Sequence, residues 1–320
     1  MNLYEQITDM FSRELELRGR AFVNYGALDQ VEVKDMTIDG FPAKLFFNPA
    51  RVRSVMADVS PEALQKRACF LCPDGLEPLQ LTTVWDSPTG QTYFIRVNPF
   101  PIFSPHFTVS SSVHERQELL PHLESMLHLA KELPEMSIFY NGPMCGASAP
   151  DHMHFQAVPR HSMPIEDHFD TNYANAVLVQ ESDLQSHLAA LEKVLSMASI
   201  PKNASQTGSL TAGASRTEEW EPRWNIISWY EPESNSPQDG LTATSGLTSN
   251  SRRRSFNTIV FFRRESRPQC FFAPENERIL FSPGTVEMGG VGIVANRESF
   301  DRITPEVLRS MIQEVADKIV

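Results

Sequence analysis

Two periods of apolar spacing alternate along the chain. Leu3, Ile7, Met10, Phe11 and Leu15 recur at helical spacing and predict an amphipathic helix over 3–18. Short alternating runs, Val31-Glu32-Val33 and Lys44-Leu45-Phe46-Phe47, predict strands around a turn at Asp39-Gly40. Ser60 as N-cap with proline behind it predicts a short helix over 61–66. Strands are expected over 92–97, 106–110, 137–141 and 155–158, with a helix over 114–132 carrying Leu119, Leu123 and Leu127. The apolar positions between 172 and 198 predict one long helix, or two broken near Ser182-Asp183. Strands over 224–229, 257–262, 269–273 and 291–295 follow, and a helix over 304–319 closes the chain. The stretches 202–219 and 231–254 have few large apolar residues and are expected as loops. The second ends in Arg252-Arg253-Arg254, read as a solvated flank with a lid over phosphates as the alternative. This order predicts an α+β fold, a mostly antiparallel sheet with packed helices.

Composition narrows the function classes. The 320 residues suffice for one large or two small domains, and 41% hydrophobic residues favour a packed core. A formal charge of −12 argues against general nucleic-acid binding, which demands a basic face. It does not forbid a nucleotide, because local arginines can dominate one cleft. No apolar run is long enough to span a membrane, and the first residues show no signal-peptide core. Four cysteines, two in a C-x-x-C, do not make a secreted disulfide framework, so a reducing cytoplasm is expected.

The candidate chemistry lies between Cys145 and Gln156. His152, His154 and Gln156 alternate, so on one strand they would share a face with Met153 and Phe155 packed behind. The small residues before them expose backbone N–H groups that suit an anion. One imidazole could then attack phosphorus while Gln156 and loop amides hold the phosphate oxygens. A metal clip or a packed core pair is the simpler reading of H-x-H alone. Cys69-Phe70-Leu71-Cys72 is either a redox pair or half of a metal site, and the break at Pro73-Asp74-Gly75 disfavours the redox version. Cys145 and Cys270 read as buried apolar residues. Arg51 and Arg53 read as solvated surface, as do His122 and His128. Arg160 could reach a phosphate, with His161 and His168 as bystanders. Arg263, Arg264 and Arg267 are either donors to a polyphosphate or a charged strand end.

The segment from Asn141 to Gln156 resembles the active site of the histidine-triad superfamily, in its H-x-H-x-Q transferase branch. That branch includes galactose-1-phosphate uridylyltransferases, dinucleoside tetraphosphate phosphorylases and plant GDP-L-galactose phosphorylases, and the run from His152 to Ala157 looks most like the last. The resemblance spans about 69–159. It implies a covalent nucleotidyl-imidazole on His154 and phosphoryl contacts from Gln156. Ser148, with the amides of Gly146 and Ala147, would cradle the leaving phosphates, and Asn141 would contact the nucleotide or a phosphate. It implies a structural zinc on Cys69, Cys72, His114 and His152, with His106 as the rival third ligand and iron able to replace zinc in such a site. Two halves are expected, a catalytic one over 1–170 and a degenerate one over 171–320 that lacks an H-x-H and offers Arg263 and Arg267 to substrate. The substrate would be a nucleotide or nucleotide sugar, the acceptor phosphate or a sugar phosphate, and the assembly a homodimer. A nucleotide hydrolase and a non-catalytic, zinc-structured nucleotide-binding protein are the alternatives. Gln156 counts against the first, since the hydrolase branch has a third histidine there.

Overall fold

β-Branched and aromatic residues at alternate positions build two sheets. The computed structural model describes residues 1–52, 56, 59–198, 221–233 and 254–317. The expected loop over 202–219, nearly all of that over 231–254, and Arg53, Arg252 and Arg253 lie outside these residues. The small sheet runs β1 (Glu32–Ile38), β2 (Phe41–Phe47) and β11 (Val291–Val294), in that order, with β11 parallel to β2. Asp39 (φ 51°) and Gly40 (φ 91°) both take left-handed backbone, the mirror-image turn that matches the twist of a two-residue hairpin.

The large sheet has the order β3-β4-β5-β7-β6-β9-β10-β8, with every pair antiparallel. Its strands are β3 (Thr83–Asp86), β4 (Thr92–Val97), β5 (Phe107–Ser111), β6 (Met136–Asn141), β7 (His154–Pro159), β8 (Ala176–Glu181), β9 (Trp224–Glu231) and β10 (Ser255–Phe262). Neighbouring residues feed opposite cores. Ile138, Ile226 and Val260 join one with the helices Leu3–Glu16, Leu123–Glu132 and Leu184–Leu195. Phe139, Ile227 and Phe261 join the other, with the small sheet and the helix Pro305–Val315. The β6–β9 pairing joins strands on either side of residue 170, so the sheet runs continuously across that boundary.

Three expected elements differ. The segment 114–119 is not helical. Met153 N–H bonds the Glu115 carbonyl (2.8 Å) and Gln117 N–H the Pro150 carbonyl (3.1 Å), and the helix starts only after Pro121, at Leu123. The segment 172–198 contains strand β8 before its helix, because Val177 and Val179 fit a strand edge as well as a helix face. Residues 269–273 form a 3₁₀ turn at Gln269–Phe272 between Pro268 and Pro274 rather than a strand. Among the described residues, no helix is long and apolar enough to cross a membrane.

Candidate active site and metal centre

Strand β7 begins at His154, so only some of the motif shares a face. His154 and Gln156 lie on the side of Phe139, while Met153 and Phe155 are fully buried in the opposite core, as alternation requires. His152 belongs to the preceding turn, its N–H on the Ala149 carbonyl (3.1 Å), and it does not point with the other two. That turn aims its ring at the cysteines instead. Gln117 staples the strand ends, donating to the carbonyls of Asn141 (2.9 Å) and His154 (3.0 Å) and accepting from His154 N–H (2.8 Å).

The Nδ1 of His154 lies 2.8 Å from the His152 carbonyl oxygen. An oxygen with only lone pairs requires a proton on Nδ1, which leaves Nε2 bare. Burial pushes His154 down to about 4, against the pull of that carbonyl and with help from the His152 charge. The ring is therefore neutral at ordinary pH and carries an unshared electron pair.

His154 and Gln156 line a cleft of about 530 Å³ between the two sheets, with Ile293 of β11 opposite. Gly146, Ala147 and Ser148 border it. Gly146 is at φ 98°, and a Cβ there would sit 2.7 Å from Gly284 Cα, so only glycine lets the loop pack this closely. Among the described lining residues, Arg20, Arg51, Arg67, Arg96 and Arg267 face two acids, Glu77 and Glu287. An acidic protein thus keeps a cationic cleft. Arg51 lies in the cleft rather than on the solvated surface, with Nη1 on the Phe100 carbonyl at 2.5 Å. Arg267 also lines it, its Nε on Ser282 Oγ (2.9 Å) and its guanidinium over the Phe271 ring.

Arg263 does not serve the cleft. It is buried and donates to Asn225 Oδ1 (2.6 Å), to the Pro283 carbonyl (3.0 Å) and to the carbonyls of Glu265 and Ser266. Those bonds hold the cleft wall instead. Asn141 borders the cleft, but its oxygen accepts from Asn225 Nδ2 and from Thr285 N and Oγ1, which leaves only its amide N–H groups for a ligand. Arg160 pairs with Glu166 (3.1 Å) and stacks on Trp229, away from the cleft.

Cys69, Cys72, His114 and His152 form the expected four-residue cluster, with ligand atoms all within 4.8 Å of one another. Cys69 Sγ is 3.2 Å from His152 Nδ1, and Cys72 Sγ is 3.2 Å from His114 Nδ1. A tetrahedral zinc with two sulfur and two nitrogen ligands spaces such atoms by about 3.6 Å, so a metal would draw in only the widest pairs. The Nε2 of His152 lies 2.9 Å from the Ser111 carbonyl, which fixes its proton there and frees Nδ1 for a metal. The two thiols are shifted in opposite directions. Burial opposes ionisation of Cys69, but the His152 ring beside it draws its pKa down, while burial and the neighbouring Cys69 push Cys72 up. A divalent cation would relieve this competition. The donor set fits a metal.

His106 is not a member of the cluster. Its ring is fully buried behind Gln156, 2.9 Å from Gln156 Oε1. His122 is also buried rather than on the surface, its Nδ1 2.7 Å from the Tyr93 hydroxyl. The cleft arginines at 20, 67 and 96 are not marked by any motif. Arg96 alone leaves a signal, a charge between Ile95 and Val97 in an otherwise apolar strand. It is buried and donates to the Leu71 carbonyl (2.8 Å) and Thr82 Oγ1 (3.0 Å), tying the C-x-x-C loop to β4.

Residues 10–159 match a family described as a domain of unknown function, DUF4922. A search of curated proteins finds no match. Among solved structures, yeast Ap4A phosphorylase Apa2 is similar at 14% identity and a TM-score of 0.55, over 96% of this chain and 97% of that one. Its complex with AMP matches at 13% identity and 0.51, over 96% of each chain. Its complex with Ap4A matches at 14% and 0.52, over 96% of this chain and 97% of that one. Near the full length of both chains, the fold is shared.

Proposed function

We propose that this protein is a nucleotidyltransferase of the phosphorylase kind, working through a nucleotidyl group carried on His154. The observation that carries the proposal is the single bare nitrogen of a buried, neutral imidazole whose other nitrogen is tied to a carbonyl, at the edge of an arginine-lined cleft. The fold shared with a phosphorylase of dinucleoside tetraphosphates supports it.

In the first step the Nε2 electron pair attacks the α-phosphorus of a dinucleoside polyphosphate or nucleotide sugar. A P–N bond forms, the bridging P–O bond breaks, and its electron pair leaves with the polyphosphate or sugar-phosphate oxygen. In the second step an oxygen of inorganic phosphate attacks the same phosphorus, and the P–N pair returns to Nε2. A nucleoside diphosphate departs. Gln156 and the amides of Gly146 and Ala147 hold phosphoryl oxygens, and Ser148, Arg51 and Arg267 meet the leaving phosphates. The amide of Asn141 borders the same space.

Cys69, Cys72, His114 and His152 would hold a zinc, or an iron in its place. Closed by four protein ligands, it would have a structural role, binding the 69–72 loop to the turn that presents His154. The residues after 170 would act as a supporting half without a nucleophile of their own.

Two-substrate kinetics test the reading. With dinucleoside tetraphosphate or nucleotide sugar varied at several phosphate concentrations, double-reciprocal plots should be parallel, as a covalent relay requires. Lines that superimpose, with turnover undiminished when phosphate is left out, would replace it with hydrolysis, and intersecting lines would replace it with direct transfer to phosphate in one complex.

A further inference from the structure

We propose that His106 is a positioning residue that locks the Gln156 side-chain amide as a pure hydrogen-bond donor toward the transferred phosphoryl group. This rests on the reading of the cleft as a nucleotidyl-transfer site, and it adds a residue outside the motif.

The constraint begins at the backbone of the irregular 98–106 segment. Ile102 N–H points at His106 Nδ1, 3.2 Å away. A backbone N–H can only donate, so Nδ1 must be the bare acceptor and Nε2 must carry the proton of the neutral ring. That Nε2 lies 2.9 Å from Gln156 Oε1, and a protonated nitrogen admits only the oxygen of the amide there. Asn98 repeats the logic. Phe100 N–H donates to Asn98 Oδ1 (2.9 Å), so Asn98 turns its Nδ2 outward, to Thr108 Oγ1 (3.1 Å) and, at 3.5 Å, to Gln156 Oε1. Two fixed backbone donors thereby set two side chains, and both present hydrogens to the same oxygen.

The ring itself is clamped. His106 is fully buried, its N–H donates to the Tyr25 hydroxyl (3.1 Å), and that hydroxyl donates to the His106 carbonyl (2.9 Å). Burial, with the charge of Arg51 added, pushes His106 down to about 3, so the ring stays neutral throughout the working pH range. With its oxygen engaged from behind, Gln156 offers the cleft only its NH₂ group. Such a donor attracts phosphoryl oxygens. It cannot accept a proton from an attacking water, whereas a freely flipping glutamine would present its oxygen some of the time, repel the phosphoryl group and help water to attack. The same device therefore favours transfer to phosphate over transfer to water.

Variants and spectroscopy test this together. His106→Phe keeps a planar aromatic ring and removes the donor. It should lower kcat for phosphorolysis by about tenfold or more, leave KM for the nucleotide donor within about threefold, and raise the share of product formed with water. His106→Gln, which can still donate from a similar position, should restore the partition between phosphate and water. If both variants lose thermal stability but keep the wild-type partition, His106 is only structural and the proposal falls. Nitrogen-15 NMR of the unaltered protein decides the point without a variant. The His106 ring should show a protonated Nε2 and a bare Nδ1, and a proton on Nδ1 instead would overturn the lock. A protein that shows this tautomer yet performs no phosphorolysis would refute the function reading and leave the lock standing.

Discussion

Two histidines two positions apart meet opposite fates, and the turn between Gly142 and Met153 decides them. His152 has its Nε2 on a carbonyl and its Nδ1 among thiols, while His154 has its Nδ1 on a carbonyl and its Nε2 left for the cleft. Replacing His154 with alanine should lower turnover by at least about a thousandfold, as loss of a covalent nucleophile does, with the melting temperature nearly unchanged. Steady-state rates and a thermal melt check both halves of that statement. A second residue-scale expectation concerns Glu14. It is buried with one oxygen on Leu81 N–H (2.8 Å), and burial pushes its carboxyl from 4.5 up to about 7 despite that bond. The folded chain therefore keeps a proton that the unfolded chain has released. This group's contribution to stability is complete below about pH 4.5 and is lost as pH rises through about 7, at up to about 1.4 kcal/mol per pH unit. Denaturant titrations between pH 5 and 7 should give Glu14→Gln a slope of stability against pH more positive than that of the unaltered protein, by up to about 1.4 kcal/mol per pH unit. Glu221, also raised to about 7 by burial, contributes with the same sign, and the buried His106, His154 and His187, pushed down by burial, with the opposite sign, so the test is the difference between the two proteins. An identical slope in both proteins would contradict the assignment.

At the scale of elements, the strand that carries His154 is held from both sides. Phe155 is fully buried between Tyr93 and Tyr140, so Phe155→Ala should cost about 3–5 kcal/mol and weaken the presentation of His154. The cluster of Cys69, Cys72, His114 and His152 includes a residue of the turn ahead of that strand, and a metal bound there would hold the turn. Cys72→Ser, or a strong chelator, should remove about one metal ion per chain, lower the melting temperature and reduce activity together, as elemental analysis and thermal melts would show. Metal content unchanged in Cys72→Ser would remove that residue from the centre. The elements were legible where apolar period and punctuation agreed. Asp39-Gly40 marks the β1–β2 hairpin, and the helix expected over 304–319 is found at Pro305–Val315, where the Thr304 side chain caps it. They were illegible where tertiary bonds chose between local options. Ala176, Val177 and Val179 satisfy a helix face and a strand alike, and only pairing with β10 selects the strand. His114 to Glu118 has helical composition but gives its hydrogen bonds to the motif loop.

Over the whole molecule, charge is distributed against its own sum. A formal charge of −12 surrounds a cleft in which, among the described residues, arginines outnumber acids by five to two. The site was legible where its residues are close in sequence, from Cys145 to Gln156 and in the C-x-x-C. The arginines at 20, 51, 67 and 96 come from four separate stretches of the chain, and no local pattern brings them together. Arg267→Ala should raise KM for a dinucleoside tetraphosphate by about tenfold, the worth of one charged hydrogen bond, and make it less sensitive to salt. An unchanged KM and salt dependence would place Arg267 outside the binding path. The covalent relay itself is tested most directly by intact-mass spectrometry. The protein is mixed without phosphate with GDP-hexoses, UDP-hexoses or dinucleoside tetraphosphates in turn. One of these donors should add the mass of one nucleoside monophosphate, which phosphate then removes and which His154→Ala never acquires. Consumption of donor with no such adduct at any time, or an adduct that persists in His154→Ala, would contradict the assignment of His154 as the nucleophile.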